Sequence, residues 1–152
     1  MENEHAGAEI LEQETDAAIA LWLGRVEAEP EIITVRLSTA ERCAHLPAIF
    51  HELVQRLRHP LPLGTRTRKS SASARHGQLR REQGYTAAMM VEELRLLQAA
   101  IFEILRKNLE RVNFSVLLVE VMATVDEIDS QLAQAMASYL SNSNARGPMN
   151  EA

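Results

Sequence analysis

Phe114, Leu118, Val121, Val125, Ile128, Leu132, Ala135 and Tyr139 follow one another at alternating steps of four and three residues. Only an α-helix gathers such a series onto one face, so this part of the chain is committed to a long helix with an apolar seam. A seam kept over nearly four heptads either packs inside its own bundle or continues as a parallel two-stranded coil. Val116, Leu117, Val119 and Met122 add apolar surface off the seam. Three short preceding segments cannot cover all of it, which points to a homodimer. The expected interface lies on the helices over residues 86–112 and 114–139, with Leu118, Val121, Val125, Ile128 and Leu132 at its centre.

Upstream, the same helical signature recurs in shorter runs. Leu11, Ala18, Trp22 and Val26 recur at helical spacing in a helix expected over about residues 9–28, and Pro30 helps end it. Ile32 to Val35 are β-branched but face no partner strand, so they read as an extended connector or a helix start. Ser38 or Thr39 is placed to cap a further helical region, and Pro47 starts a new helix or kinks the old one. Ile49, Phe50, Leu53 and Leu57 form the apolar face that follows. Pro60, Pro62, Gly64 and three serines make residues 59–73 the best interior loop. A long helix over residues 86–112 turns Met90, Leu94, Leu97, Ile101, Leu105 and Leu109 to the core, and Asn113 is a natural break before the last helix.

Composition supports a single helical domain. The chain has 152 residues and only 4% aromatics, and its glycine and proline fall away from the periodic stretches. The net charge of -5 gives no general pull toward nucleic acid or an anionic membrane. The single Cys43 excludes an internal disulfide and makes no zinc site alone. Glu120 interrupts the most hydrophobic stretch, and the first residues are acidic without a signal-peptide core, so neither membrane insertion nor export is expected. The default location is cytoplasmic.

Between Ala74 and Gln83 a helix places His76 and Arg80 on one face, and Gly84 is positioned to end it in a left-handed cap. Thr86 then caps the next helix, with Tyr85 at the corner and Glu93 two turns on. Burying such polar groups beside apolar faces is costly unless they pair. His76, Arg80, Tyr85 and Glu93 are therefore the candidate site, read first as a hydrogen-bonded latch between two helices and alternatively as a ligand pocket. In that alternative His76 ligates a haem or another small molecule. No other histidine lies three or four residues from any of the five, and Cys43 and His45 point to different sides of a helix, so no metal site is expected. His51-Glu52 lacks both the proline of a phospho-acceptor box and the second histidine of a zinc-protease helix. Arg56, Arg58, Arg66, Arg68, Lys69, Arg75, Arg80 and Arg81 form a local positive field, read as a solvated face and set against a weaker phosphate-binding alternative. No nucleophile, base and orienting group stand at motif spacing, so no enzyme is expected.

The arrangement HGxxRxxxGY from His76 to Tyr85, followed by Glu93 in an apolar helix, resembles the N-terminal domain of the RsbRD-type co-antagonists of RsbT, which also fronts many bacterial sensor histidine kinases. The resemblance runs from about Ala17 to about Leu140, and departs from the family at Gln98, where arginine is frequent. It implies a non-catalytic sensory or regulatory input domain in stress-response or two-component signalling, relaying a change through a dimeric C-terminal helix to a downstream domain. It also implies a globin-like helical fold without haem. The combined expectation is an all-α bundle of five or six helices with two long C-terminal ones. Residues 1–8 are expected to be disordered, 9–141 to form the domain, and 142–152 to be a linker.

Overall fold

A computed structural model of the chain describes residues 5–64 and 70–145, with side chains as far as Ser141. The α-helices are α1 (Ala6–Gln13), α2 (Thr15–Glu27), α3 (Thr39–Cys43), α4 (Leu46–Arg58), α5 (Ser71–Glu82), α6 (Ala87–Lys107) and α7 (Phe114–Ala145). Ile32–Thr34 and Leu109–Arg111 are 3-10 turns, and no strand occurs among the described residues. The architecture is an all-α bundle. Its main pairings set α5 along α7, α2 along α6 and α1 on α4, while α7 also touches α4 and α6. Trp22, Ile10, Leu11, Leu46, Phe50, Leu53, Leu97 and Ile101 are sealed from solvent at the centre.

Several element boundaries follow from local chemistry. Ser38 caps α3 by accepting from the Glu41 N–H at 3.1 Å while Glu41 accepts from the Ser38 N–H, a reciprocal capping box. Pro47 occupies the first turn of α4, where its missing N–H costs nothing. Thr86 caps α6 by accepting from the Met89 N–H at 3.2 Å. At the end of α5, Gly84 takes φ +95°, the Tyr85 N–H reaches the Arg80 carbonyl at 2.9 Å, and the Gly84 N–H reaches the Arg81 carbonyl at 3.1 Å. That pair of bonds is a Schellman closure.

Four expectations are corrected. The helix expected over residues 9–28 breaks at Glu14, where the Thr15 hydroxyl turns back onto the Leu11 carbonyl at 2.7 Å and lets α1 and α2 follow different partners. Ala6 to Ala8, expected to be disordered, are helical and buried, because their small side chains let α1 sit close beneath Glu120 of α7. Residues 1–4 lie outside the described residues. α5 begins at Ser71 rather than Ala74, since Ser70 accepts from the Ser73 N–H at 2.9 Å and caps the helix early. α7 continues to Ala145, past the boundary expected at Ser141.

In α6, Met90, Leu97, Ile101 and Leu105 face the core as expected, with Glu93, Leu96, Ala100 and Ile104 buried beside them. Leu109 does not. The helix stops at Lys107, Asn108 folds its side-chain amide onto the Ile104 carbonyl at 2.8 Å, and the following turn leaves Leu109 exposed.

α7 departs most from its expected orientation. Its inward side includes Glu120, Thr124, Glu127 and Gln131, together with Ile128 and Ala135. Phe114, Leu118, Val119 and Met122 point away from the protomer, with Phe114 83% exposed. The cause is a set of polar partners waiting on the other helices. Arg56 of α4, itself buried, donates to Asp126 at 2.8 Å and lies 3.8 Å from Glu127, and the Gly7 N–H of α1 donates to Glu120 at 3.2 Å. Buried ionic groups need such partners more than a methyl group needs burial.

Candidate functional site

The local folding just described carries His45, His76, Arg80 and Glu93 to one point between four elements. The capping box fixes α3 and with it Arg42, and His45 follows as the residue from which α4 starts. His76 and Arg80 are successive residues on one face of α5, and Glu93 projects from the second turn of α6. α2 supplies Trp22, whose indole N–H donates to the backbone carbonyl of Glu93 at 3.0 Å.

Glu93 is the hub. Its Oε1 accepts from Arg80 Nε at 3.1 Å, with His76 Nε2 at 3.3 Å and His45 Nε2 at 3.6 Å. The two imidazoles stack with centroids 3.7 Å apart and planes 12° from parallel, and Trp22 meets His45 edge-on at 5.7 Å. Arg80 is sealed from water and also donates to the Arg42 carbonyl and Gln83 Oε1, both at 2.7 Å. Its guanidinium also lies 4.7 Å over the ring of Tyr85. Tyr85 accepts from Arg42 Nη1 at 2.8 Å, and Arg42 Nη2 donates to the Val35 carbonyl at 2.8 Å.

Burial sets the electrostatics, and the partners decide the sign. Burial pushes the Glu93 carboxyl up, but the hydrogen bond from His76 and the charge of Arg80 more than reverse this, so Glu93 sits below the usual carboxylate range. Burial holds His45 well below the ordinary imidazole value, with His76 and Arg80 acting in the same direction. The Tyr85 phenol is pushed up by burial and the neighbouring Glu93 charge and stays protonated.

His76, Arg80, Tyr85 and Glu93 are thus brought together as expected. Three residues were not foreseen as members: His45, Arg42 and Gln131. Gln131 of α7 donates to Glu127 Oε1 at 3.1 Å and to Glu52 Oε2 at 3.3 Å, which leaves its Oε1 without a partner. His76 Nδ1 and Glu93 Oε2 are likewise buried without a hydrogen bond. All three side chains line one cavity, walled by Trp22, Ile49 and Leu97, with about 20 Å³ of room for the centres of water-sized molecules. About 10–15 Å³ of such room holds one water.

That cavity does not suit a haem. His76 Nε2 is already directed at Glu93, the flat face of its ring is covered by His45, and the room is that of one or two small species. Four of the eight basic residues of the positive field are paired within the chain. Arg56 binds Asp126, Arg58 binds Glu12 at 2.6 Å, Arg80 binds Glu93, and Arg81 donates to the Tyr139 carbonyl at 2.9 Å. Arg66, Arg68 and Lys69 lie outside the described residues. His51 is exposed, and the half-buried Cys43 has its thiol pushed up by burial, the reverse of an activated nucleophile.

Of the expected interface residues, Leu118 is exposed, Val121 and Val125 are half-buried, Ile128 is buried in the protomer's own core, and Leu132 lines the cavity beside His76. The exposed stripe therefore lies nearer the start of α7 than the seam placed it. No protein-family model, curated protein or solved structure matches the chain. The resemblance to RsbRD-type domains accordingly rests on the motif residues themselves.

Proposed function

We propose that this chain is a non-catalytic sensory or regulatory input domain of a bacterial signalling protein, cytoplasmic and dimeric through α7, in which the His45–His76–Glu93 cluster is the sensing point. The observation that carries the reading is the direct backbone approach of α5 to α7. A Cβ built on Gly77, the neighbour of His76, would fall 2.0 Å from the Ala135 carbonyl oxygen of α7. A displacement of the α5 backbone at His76 is therefore passed directly to α7. Such coupling needs two arrangements that differ in affinity for the signal, and a buried polar cluster with orphan atoms is a fitting place for that difference.

Phe114, Leu118, Val119 and Met122 support the dimeric part, because the first turns of α7 present these apolar side chains outward. A symmetric pairing of these stripes would set two copies of α7 side by side for a paired output domain. No helix among the described residues is long and apolar enough to cross a membrane.

Hydrogen exchange tests the relay. Glu93→Gln keeps the acceptor but removes the charge, and it should alter amide protection along α7 at residues 114–145 as well as around residue 93. Changes confined to α5 and α6 would overturn the relay.

A further inference from the structure

We propose that His45, His76 and Glu93 form a binding site for a divalent first-row transition-metal ion, in a cavity that Gln131 also lines. The site stands on geometry independent of the sensory reading. Each of the three residues offers a ligand atom, and these atoms lie within 4.8 Å of one another. Bonds of about 2.0–2.2 Å to nitrogen and oxygen would require the two imidazoles to swing out of their stack, so that their in-plane lone pairs converge on the ion.

What singles out a cation is the character of the unpartnered atoms. Glu93 Oε2 and Gln131 Oε1 are electron-pair donors, and His76 Nδ1 is one whenever Nε2 carries the proton that meets Glu93. All three atoms are buried, their residues line one cavity, and the His45 and His76 side chains are each only 10% exposed. These atoms offer an anion acceptors rather than donors, and Arg80 and Arg42 direct hydrogen bonds at Glu93, Gln83, Tyr85 and two backbone carbonyls.

Two guanidinium groups nearby oppose a cation, and they decide its class. A hard ion held by charge alone, such as Mg²⁺ or Ca²⁺, prefers an all-oxygen cage and would lose here. An ion that bonds strongly to imidazole gains what the local charge withholds. Two further features offset the repulsion. Arg80 holds only Oε1 of Glu93, orienting the carboxylate while leaving Oε2 free, the usual outer-shell support of a ligating carboxylate. Behind Gln131, the carboxylates of Glu52 and Glu127 supply negative charge at the far end of the same amide.

Zn²⁺ and Co²⁺ added to chelator-treated full-length protein provide the test. Titration calorimetry should give one equivalent of Zn²⁺ per chain, and Co²⁺ should develop a visible ligand-field band that Zn²⁺ abolishes; Mg²⁺ and Ca²⁺ should do neither. His76→Gln and Glu93→Gln, checked for native helicity by circular dichroism, should each weaken Zn²⁺ binding by at least about tenfold, as loss of a ligand requires. Cys43→Ser and His51→Ala should leave it unchanged. Zn²⁺ X-ray absorption on the unaltered protein covers the case in which a ligand variant fails to fold, and should show two imidazoles with oxygen and no sulfur. Absent binding, a sulfur-containing shell, or affinity untouched by folded His76→Gln and Glu93→Gln would overturn the site. One equivalent bound with no change in α7 exchange would keep the metal site and defeat the relay alone.

Discussion

Arg80 and Glu93 form an ion pair 1% and 3% exposed in their side chains, a setting in which removing one partner costs more than the pair itself contributes. Glu93→Ala strands a buried guanidinium and is expected to lower stability by about 3–5 kcal/mol, whereas Arg80→Met with Glu93→Leu should recover most of that loss. Urea denaturation of both variants checks this, and a double variant no more stable than Glu93→Ala would show that the two side chains are not coupled. Glu120 behaves differently. Burial raises its carboxyl above the ordinary value of 4.5, against the pull of the Gly7 N–H and of His5. The folded state then binds the proton more tightly than the unfolded one, so this group's contribution falls as pH rises from below 4.5 through the raised value. Glu120→Gln, which keeps an acceptor for Gly7, should raise the urea midpoint at neutral pH and flatten its decline above about pH 4. An unchanged pH profile would contradict this assignment. At this scale the sequence showed His76, Arg80, Tyr85 and Glu93 because they lie in one short stretch, on two consecutive helices joined by a tight turn. It hid His45, Arg42 and Gln131, whose places depend on contacts between distant segments that no local spacing records.

Gly77 and Gly24 are both helical glycines, yet their surroundings give them opposite consequences. Nothing lies within 4 Å of a Cβ built on Gly24, whereas one on Gly77 meets backbone atoms of Ala135 at 2.0, 2.7 and 2.9 Å. Gly24→Ala should therefore stabilise the protein by about 0.5–1 kcal/mol through helix propensity alone. Gly77→Ala should destabilise it despite the same gain, by about 1–3 kcal/mol, because α5 must move off α7. Thermal unfolding of the pair tests this, and equal signs would show that the α5–α7 approach is looser than described. The pattern of α7 was legible as a helix from its steps of three and four, but not its rotation. A seam count weighs apolar positions alone, and here Arg56, Gly7 and Glu52 draw the polar positions Asp126, Glu127, Glu120 and Gln131 inward.

For the whole molecule, the α7 stripe leads to an oligomeric expectation. Light scattering should give a dimer at high micromolar concentration, and Leu118→Glu with Met122→Glu should yield folded monomers, since both side chains point away from the protomer. A monomer in the unaltered protein would refute the pairing. The all-α class and the number of substantial helices could be read from periodicity and capping residues, while the mutual arrangement of the helices could not. The approach of α5 to α7 has one more consequence. Where helices meet through long side chains, rotamer changes absorb a small displacement as a spring would. At Gly77 and Ala135 no side chain stands between the two backbones, so the joint has almost no compliance, and the pair shifts as one lever or separates.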